Sequence, residues 1–229
     1  MNPIKKISGF LGAAFLLQAI ASVISGPILL DPLIVSGNIN KSMTNIVNNA
    51  LRIRVSIVGE MIAVIGIVVL GFLLYSTLKN QNGNTALVAL GLYLITAAII
   101  AVSRIAVFSL LRISQESVTA GHPAYLQSLG KLFYKLQDFG YFLHMLPYTF
   151  GATLFYFLFY KSGFLPRALI ILGLIAASLA FIGSLFDHLS FVVPMFIFLP
   201  NLPFDLGIGV WLMVKGINEV EKPVLKPTL

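Results

Sequence analysis

The chain has 229 residues, of which 58 % are hydrophobic and 10 % charged, and its mean hydropathy is +0.95. Soluble domains carry about a quarter charged residues, so this composition excludes an ordinary soluble protein. The net charge of +7 does not indicate nucleic-acid binding, because the basic residues lie mostly beside apolar runs, where they orient membrane helices. The absence of cysteine excludes disulfides and cysteine-ligated metal sites.

The first apolar run follows Lys5 and Lys6 and so begins like a secretory signal. It is too long for a signal core, and Pro27 disrupts the small-residue cleavage site around Ser25. We therefore interpret it as a retained first membrane helix.

Six apolar stretches are each long enough to cross a hydrocarbon core, which takes roughly 20 helical residues. They are residues 7–30, 55–78, 85–111, 139–160, 166–186 and 191–214. Strands are excluded because open strands leave backbone groups unpaired in lipid, and the runs lack the alternation of barrel strands. The sequence predicts an all-α fold, a polytopic transmembrane helical bundle of about six spans forming one domain over residues 1–229.

Basic residues predict the orientation of this bundle. The short connections and the termini hold lysine and arginine with few acids: Lys5, Lys6, Lys79, Lys161, Arg167, Lys215, Lys222 and Lys226. The segments on the other side are longer and mix both signs of charge. The positive-inside rule then places both termini in the cytoplasm.

Two long connections carry a helical pattern. Apolar residues recur at spacings of three and four over residues 38–54 and again over residues 123–138, each running into the following span. We expect these amphipathic extensions to form a helical projection on the outer side. The alternative is that each lies flat in the membrane interface.

Ionisable residues inside spans are costly and need a structural or functional reason. Glu60 and Arg104 fall at similar depth on adjacent antiparallel spans, which predicts an ion pair. That pair either locks two helices together or forms a charged site that opens onto a cavity. His144, Asp187 and His188 are weaker candidates, and since they lack any paired ligand spacing we expect no metal site.

The last span is interrupted by Pro194, Pro200 and Pro203, so we expect its helix to break around residues 199–203. Asn201 and Asp205 lie at this break. Four residues apart, they either share a face and hold a ligand, or Asp205 caps the second half of the helix. Gly207 and Gly209, just beyond, are expected to be close-packing positions.

Three stretches at helix ends together resemble a known family: 26–32 (GPILLDP), 165–173 (LPRALIILG) and 202–216 (LPFDLGIGVWLMVKG). They are similar to the prokaryotic membrane family catalogued as domain of unknown function 4386. In that family an acidic residue, usually Glu, precedes the Trp at the spacing of Asp205 and Trp211, and Tyr93 stands where many members carry charged residues. The resemblance implies a multi-pass plasma-membrane protein and implies no activity.

These features favour a small-molecule or lipid binding or transport-type module, with membrane lipids as partners and no cofactor. The alternative is a structural or accessory subunit that docks a protein partner through the outer projection. An intramembrane enzyme is the third hypothesis, because the sequence holds no nucleophile motif.

Overall fold

A computed structural model describes residues 3–218. Within this range the chain folds into seven α-helices and no strand: α1 (Pro3–Val23), α2 (Ile39–Asn48), α3 (Ala50–Leu78), α4 (Gly83–Thr119), α5 (Ala124–Ser162), α6 (Arg167–His188) and α7 (Asn201–Val214). A π-helical segment, Ile24–Leu30, and a 3₁₀ turn, Asp31–Leu33, prolong α1. The predicted all-α bundle is confirmed. Lys222 and Lys226, used in the orientation argument, lie outside the described residues.

Five helical stretches are long and apolar enough to cross a membrane: Lys6–Leu33, Ala50–Leu78, Gly83–Thr119, Ala124–Ser162 and Arg167–His188. The chain is therefore a multi-pass membrane protein. The sixth predicted span differs, because helix α7 starts only at Asn201 and is about 21 Å long, shorter than the hydrocarbon core. Helix α6 ends at His188, and residues 189–200, which contain Pro194 and Pro200, form no α-helix, with a 3₁₀ turn at Met195–Ile197. Pro203 lies in the first turn of α7, where its missing N–H has no intrahelical partner to lose.

The membrane helices form a ring in chain order. Helix α1 packs on α3, α3 on α4, α4 on α5, α5 on α6 and α6 on α7, and α7 returns to pack on α1. Among the described helices, the backbone of α1 contacts neither α5 nor α6, although side chains such as Gln18 and Tyr148 meet across the ring. The centre of the ring is therefore filled by side chains.

The helices of this ring differ in length, which gives the bundle a projecting end. Helices α4 and α5 are about 55 and 58 Å long, well beyond one membrane thickness. Together with α2, which packs on both, they form the predicted helical projection. Residues 124–138 run into the membrane part of α5 without interruption. Residues 39–54 instead break at Asn49, whose φ of −121° and ψ of 34° separate α2 from α3.

At the other end, which we call the opposite end, the core is apolar and closely packed. Its buried side chains include Leu11, Phe15, Leu74, Phe159 and Leu212. Helices α1 and α7 meet at two glycines, since a Cβ atom on Gly12 would lie 2.5 Å from the carbonyl oxygen of Gly209. Gly209 is thus a close-packing position as expected, but Gly207 is not, because a Cβ there meets nothing within 4 Å.

Candidate functional site

The polar residues inside the membrane helices lie at two depths. The depth nearer the projecting end, which we call the upper level, contains Glu60 and Arg104. Glu60 lies about 27 Å from the end of α3 at Leu78, and Arg104 about 31 Å from the start of α4 at Gly83. Since the hydrocarbon core is about 30 Å thick, both residues stand near the headgroups on the projecting side. Asp187, near the end of α6, lies at the same level by the same measure.

Glu60 and Arg104 are both buried, being 7 % and 6 % exposed. Glu60 accepts one hydrogen bond, from the Ser22 hydroxyl at 3.3 Å. Arg104 lies within electrostatic range of Glu60 and of Asp31, yet its guanidinium donates no hydrogen bond and forms no ion pair among residues 3–218, and its buried Nε has no partner. The structure thus brings the two residues together without the direct ion pair that the sequence predicted.

The ring of helices is not closed at this upper level. Helix α7 begins deeper in the bundle, and the π-helical end of α1, Ile24–Leu30, contacts α3 but neither α5 nor α6. On α5, every side chain over residues 142–148 is half-buried, so its inner side is incompletely covered. The backbones of the end of α1 and of α6 are therefore not in contact at this level. We call the group of Asp31, Glu60 and Arg104 the upper site.

The lower level is a buried network centred on Asp205, which we call the aspartate cluster. The Asp205 carboxylate accepts hydrogen bonds from Tyr148 at 2.7 Å, from Tyr156 at 3.1 Å and from the Gln18 amide at 3.4 Å. The ring of Tyr93 lies 5.4 Å from that of Tyr148, and its fully buried hydroxyl has no partner in the described chain. One side chain thus joins α7 to α1 and α5.

Asn201 and Asp205 have different hydrogen-bond partners within residues 3–218. The Asn201 amide donates to the backbone carbonyls of Ala176, at 3.4 Å, and Phe198, at 3.3 Å. Asp205 is not a helix cap either, because Pro200 precedes the first turn of α7 and the carboxylate is engaged by three side chains. Three side-chain donors bond to Asp205, whereas the Nε donor of Arg104 has no acceptor within residues 3–218.

The histidine candidates bond to their own helices. Nδ1 of His144 lies 3.3 Å from the Gly140 carbonyl oxygen, and Nδ1 of His188 lies 2.8 Å from that of Ser184. Asp187 is half-buried beside His188. Across residues 3–218, no three His, Asp or Glu side chains are grouped closely enough to hold a metal ion.

The family model described as Domain of unknown function (DUF4386) matches residues 10–216. The chain belongs to this family. No curated protein and no solved structure matches it. The matched range contains every residue of the upper site and of the aspartate cluster.

Sequence reasoning missed several members of these two groups, most importantly Tyr148, Tyr156 and Ser22. Tyrosines in apolar spans are usually interpreted as core or interface residues. A signal was present on α1, where Gln18 and Ser22 are four residues apart and so share one face. In the structure Gln18 reaches the aspartate cluster and Ser22 reaches Glu60, so that face of α1 links the two levels.

Proposed function

We propose that this chain is a membrane-embedded binding module for an amphiphilic, lipid-like molecule, whose polar head enters the upper site. The observation that carries the proposal is Arg104, a buried guanidinium without a hydrogen bond. A guanidinium has five N–H donors and stays charged in proteins. Leaving such a group unpaired in low dielectric costs several kcal/mol. A ligand with an acceptor group removes that cost.

The position of the upper site supports a lipid-like ligand. Arg104 lies near headgroup level on the projecting side, where the backbones of the end of α1 and of α6 are not in contact. A molecule in that leaflet reaches Arg104 sideways, with its chains remaining among lipids. Below the aspartate cluster the interior is apolar, lined by residues such as Phe15 and Phe159. This arrangement supports binding in a pocket closed at the opposite end, and not conduction through a pore.

We further propose that the protein lies in the plasma membrane with both termini in the cytoplasm. The connections at Lys79 and Lys161 lie at the opposite end, while α2 and the projecting parts of α4 and α5 lie together at the other. The positive-inside rule then puts the upper site on the external side.

The binding proposal is tested by the change Arg104→Gln, with Arg112→Gln as a matched control. Arg112 lies on the same helix but is exposed and bonds only Gln115, at 3.3 Å. The protein is purified from its membranes in a mild detergent, and bound amphiphiles are quantified by mass spectrometry. We expect the parent and Arg112→Gln to retain one class of amphiphile, and Arg104→Gln to lose it. Equal amounts in all three would refute the proposal.

A second candidate function, an accessory subunit, is favoured by a separate observation on α5. Five apolar residues on its projecting half follow heptad spacing and are 39–62 % exposed: Tyr125, Leu129, Leu132, Leu136 and Phe139. We call them the α5 stripe. Lower on α5 the same spacing leads to Phe150, whose ring stacks on Phe181 of α6 at 5.0 Å. Helix α6 ends at His188, beside Phe139, so the stripe continues a helix–helix seam beyond the end of its partner.

The charges near the α5 stripe indicate what kind of helix would cover it. Lys131 and Lys135 are exposed beside the stripe together with Asp138, and Arg112 is exposed with Glu116 on the neighbouring α4, so the basic side chains exceed the acidic ones by one. A second copy of the chain would bring the same excess of positive charge to this surface. The expected occupant is therefore an amphipathic helix of another protein with acidic residues flanking its apolar face.

A further inference from the structure

We infer that the head of the bound molecule is a zwitterion, with an anionic phosphate or carboxylate on Arg104 and a primary ammonium on Glu60. The inference rests on the proposed function and adds the chemical class of the ligand. It comes from the charges that surround Arg104.

A purely anionic head does not suit the upper site. The guanidinium of Arg104 already has two carboxylates within electrostatic range, those of Glu60 and Asp31. A further negative charge bound at Arg104 is therefore repelled by both in an environment of low dielectric. A purely cationic head has a different difficulty, because it is attracted by the two carboxylates but gives the guanidinium of Arg104 no hydrogen-bond acceptor. A head that carries both charges, each beside its complement, meets neither difficulty.

Glu60 has the capacity to bind the positive end. A carboxylate offers about four lone-pair sites, and Glu60 uses one, for the 3.3 Å hydrogen bond from Ser22. No hydrogen bond or ion pair joins Glu60 to Arg104 within residues 3–218, and the buried Nε of Arg104 has no partner, so each side chain has capacity for a different ligand group. Asp31, exposed at the end of the π-helical segment, adds a negative charge within electrostatic range of Arg104.

The positive group is a primary ammonium for a hydrogen-bonding reason. A primary ammonium donates up to three hydrogen bonds, and charge-assisted bonds to a carboxylate are about twice as strong as neutral ones. A trimethylammonium has no N–H donor and is bound instead by aromatic faces. The upper site therefore distinguishes ethanolamine-type from choline-type heads.

A phospholipid headgroup and a free zwitterion such as phosphoethanolamine share this chemistry. The position of Arg104 near headgroup level favours the lipid. The experiment uses the full chain, delipidated in detergent, and titrates it with three short-chain lipids: dihexanoyl phosphatidylethanolamine, phosphatidylglycerol and phosphatidylcholine. Free phosphoethanolamine is a fourth titrant. Binding is followed by the shift in thermal unfolding and by calorimetry.

The expected result is that phosphatidylethanolamine binds about tenfold or more tightly than either other lipid. The change Glu60→Gln should remove that preference, because phosphatidylethanolamine loses the partner of its ammonium, while phosphatidylglycerol, no longer repelled by Glu60, binds more tightly. Glu116→Gln, an exposed acid on the projecting part of α4, is the matched control and should keep the preference.

The outcomes separate the two proposals. Equal binding of phosphatidylethanolamine and phosphatidylglycerol overturns the zwitterion and leaves the binding module standing. Binding of none of the four titrants overturns both. Tight binding of free phosphoethanolamine supports the zwitterion and identifies a water-soluble source. Because the comparison among lipids uses the unaltered chain, it decides the inference even if Glu60→Gln does not fold.

Discussion

Tyr148 on α5 donates a 2.7 Å hydrogen bond to the carboxylate of Asp205 on α7, although the backbones of these two helices are not in contact. The hydroxyl therefore spans the centre of the ring. Tyr156 and Gln18 reach the same carboxylate at 3.1 and 3.4 Å, so α1, α5 and α7 are tied together through one side chain.

The hydrogen bond from Tyr148 to Asp205 predicts that Tyr148→Phe destabilises the protein. The change removes one donor from a buried acceptor, and the expected loss is about 1–3 kcal/mol in the free energy of unfolding. Thermal unfolding of the purified protein in detergent measures it. Tyr160→Phe is the matched control, since Tyr160 lies on the same helix but is exposed. Identical melting temperatures for both variants and the parent would show that the bond contributes nothing.

Packing of α1 on α7 predicts that Gly12→Ala destabilises the bundle, because the added Cβ would lie 2.5 Å from the Gly209 carbonyl oxygen and 2.9 Å from the Met213 nitrogen. Overpacking against backbone typically costs about 1–3 kcal/mol. Gly9→Ala is the control on the same helix, since a Cβ there meets nothing within 4 Å. We expect this control to be neutral or slightly stabilising, because alanine favours a helix. The comparison of the two melting temperatures checks the contact, which is contradicted if both variants behave alike.

The proposed orientation of the chain in the membrane predicts which single cysteines an impermeant reagent labels from outside the cell. The chain contains no cysteine, so positions 41, 79, 127 and 161 can each be changed to cysteine in turn. An impermeant maleimide should label Lys41→Cys and Gln127→Cys in intact cells. Lys79→Cys and Lys161→Cys should react only after the membrane is opened. Labelling of positions 79 and 161 in intact cells would invert the proposed orientation.

The α5 stripe predicts a crosslink to a partner. A photoreactive residue in place of Leu132 should give a discrete product in cells, and the mass spectrum of that product should identify an acidic amphipathic helix of another protein. The same residue in place of Val210, which is exposed on the lipid side of α7, is the control and should give no such product. A product of twice the chain's mass would mean that a second copy covers the stripe, and lipid adducts alone would leave it without a protein partner.

Much of the fold follows from the sequence because a helix that crosses the hydrocarbon core needs roughly 20 apolar residues and must pair its own backbone groups. Long apolar runs located the membrane helices, and the concentration of prolines at positions 194, 200 and 203 predicted the break before α7. The break shortened the last helix more than expected. Proline positions show where a helix stops, but they do not show how far the preceding chain departs from helical geometry.

The partners within the candidate site did not follow from the sequence. Tyr148 and Tyr156 lie 57 and 49 residues from Asp205, and nothing local in the sequence relates them to it. Depth along a helix placed Glu60 and Arg104 at one level correctly. It did not give the directions of the two side chains, so the direct ion pair was predicted where the structure has a separation. Helix rotation depends on packing against neighbours, which a single sequence leaves open.

Because α1 packs on α7, the ring of helices closes only after α7 has been synthesised. Helix α1 is synthesised before α7, so it must remain in the bilayer with its glycine face uncovered until α7 has been made. Helix α7 is shorter than the hydrocarbon core, and its surroundings, α1 and α6, are already in place when it arrives. The hydrogen bonds to Asp205 are consequently among the last to form, and a chain truncated before residue 201 would leave Gln18, Tyr148 and Tyr156 without their shared acceptor.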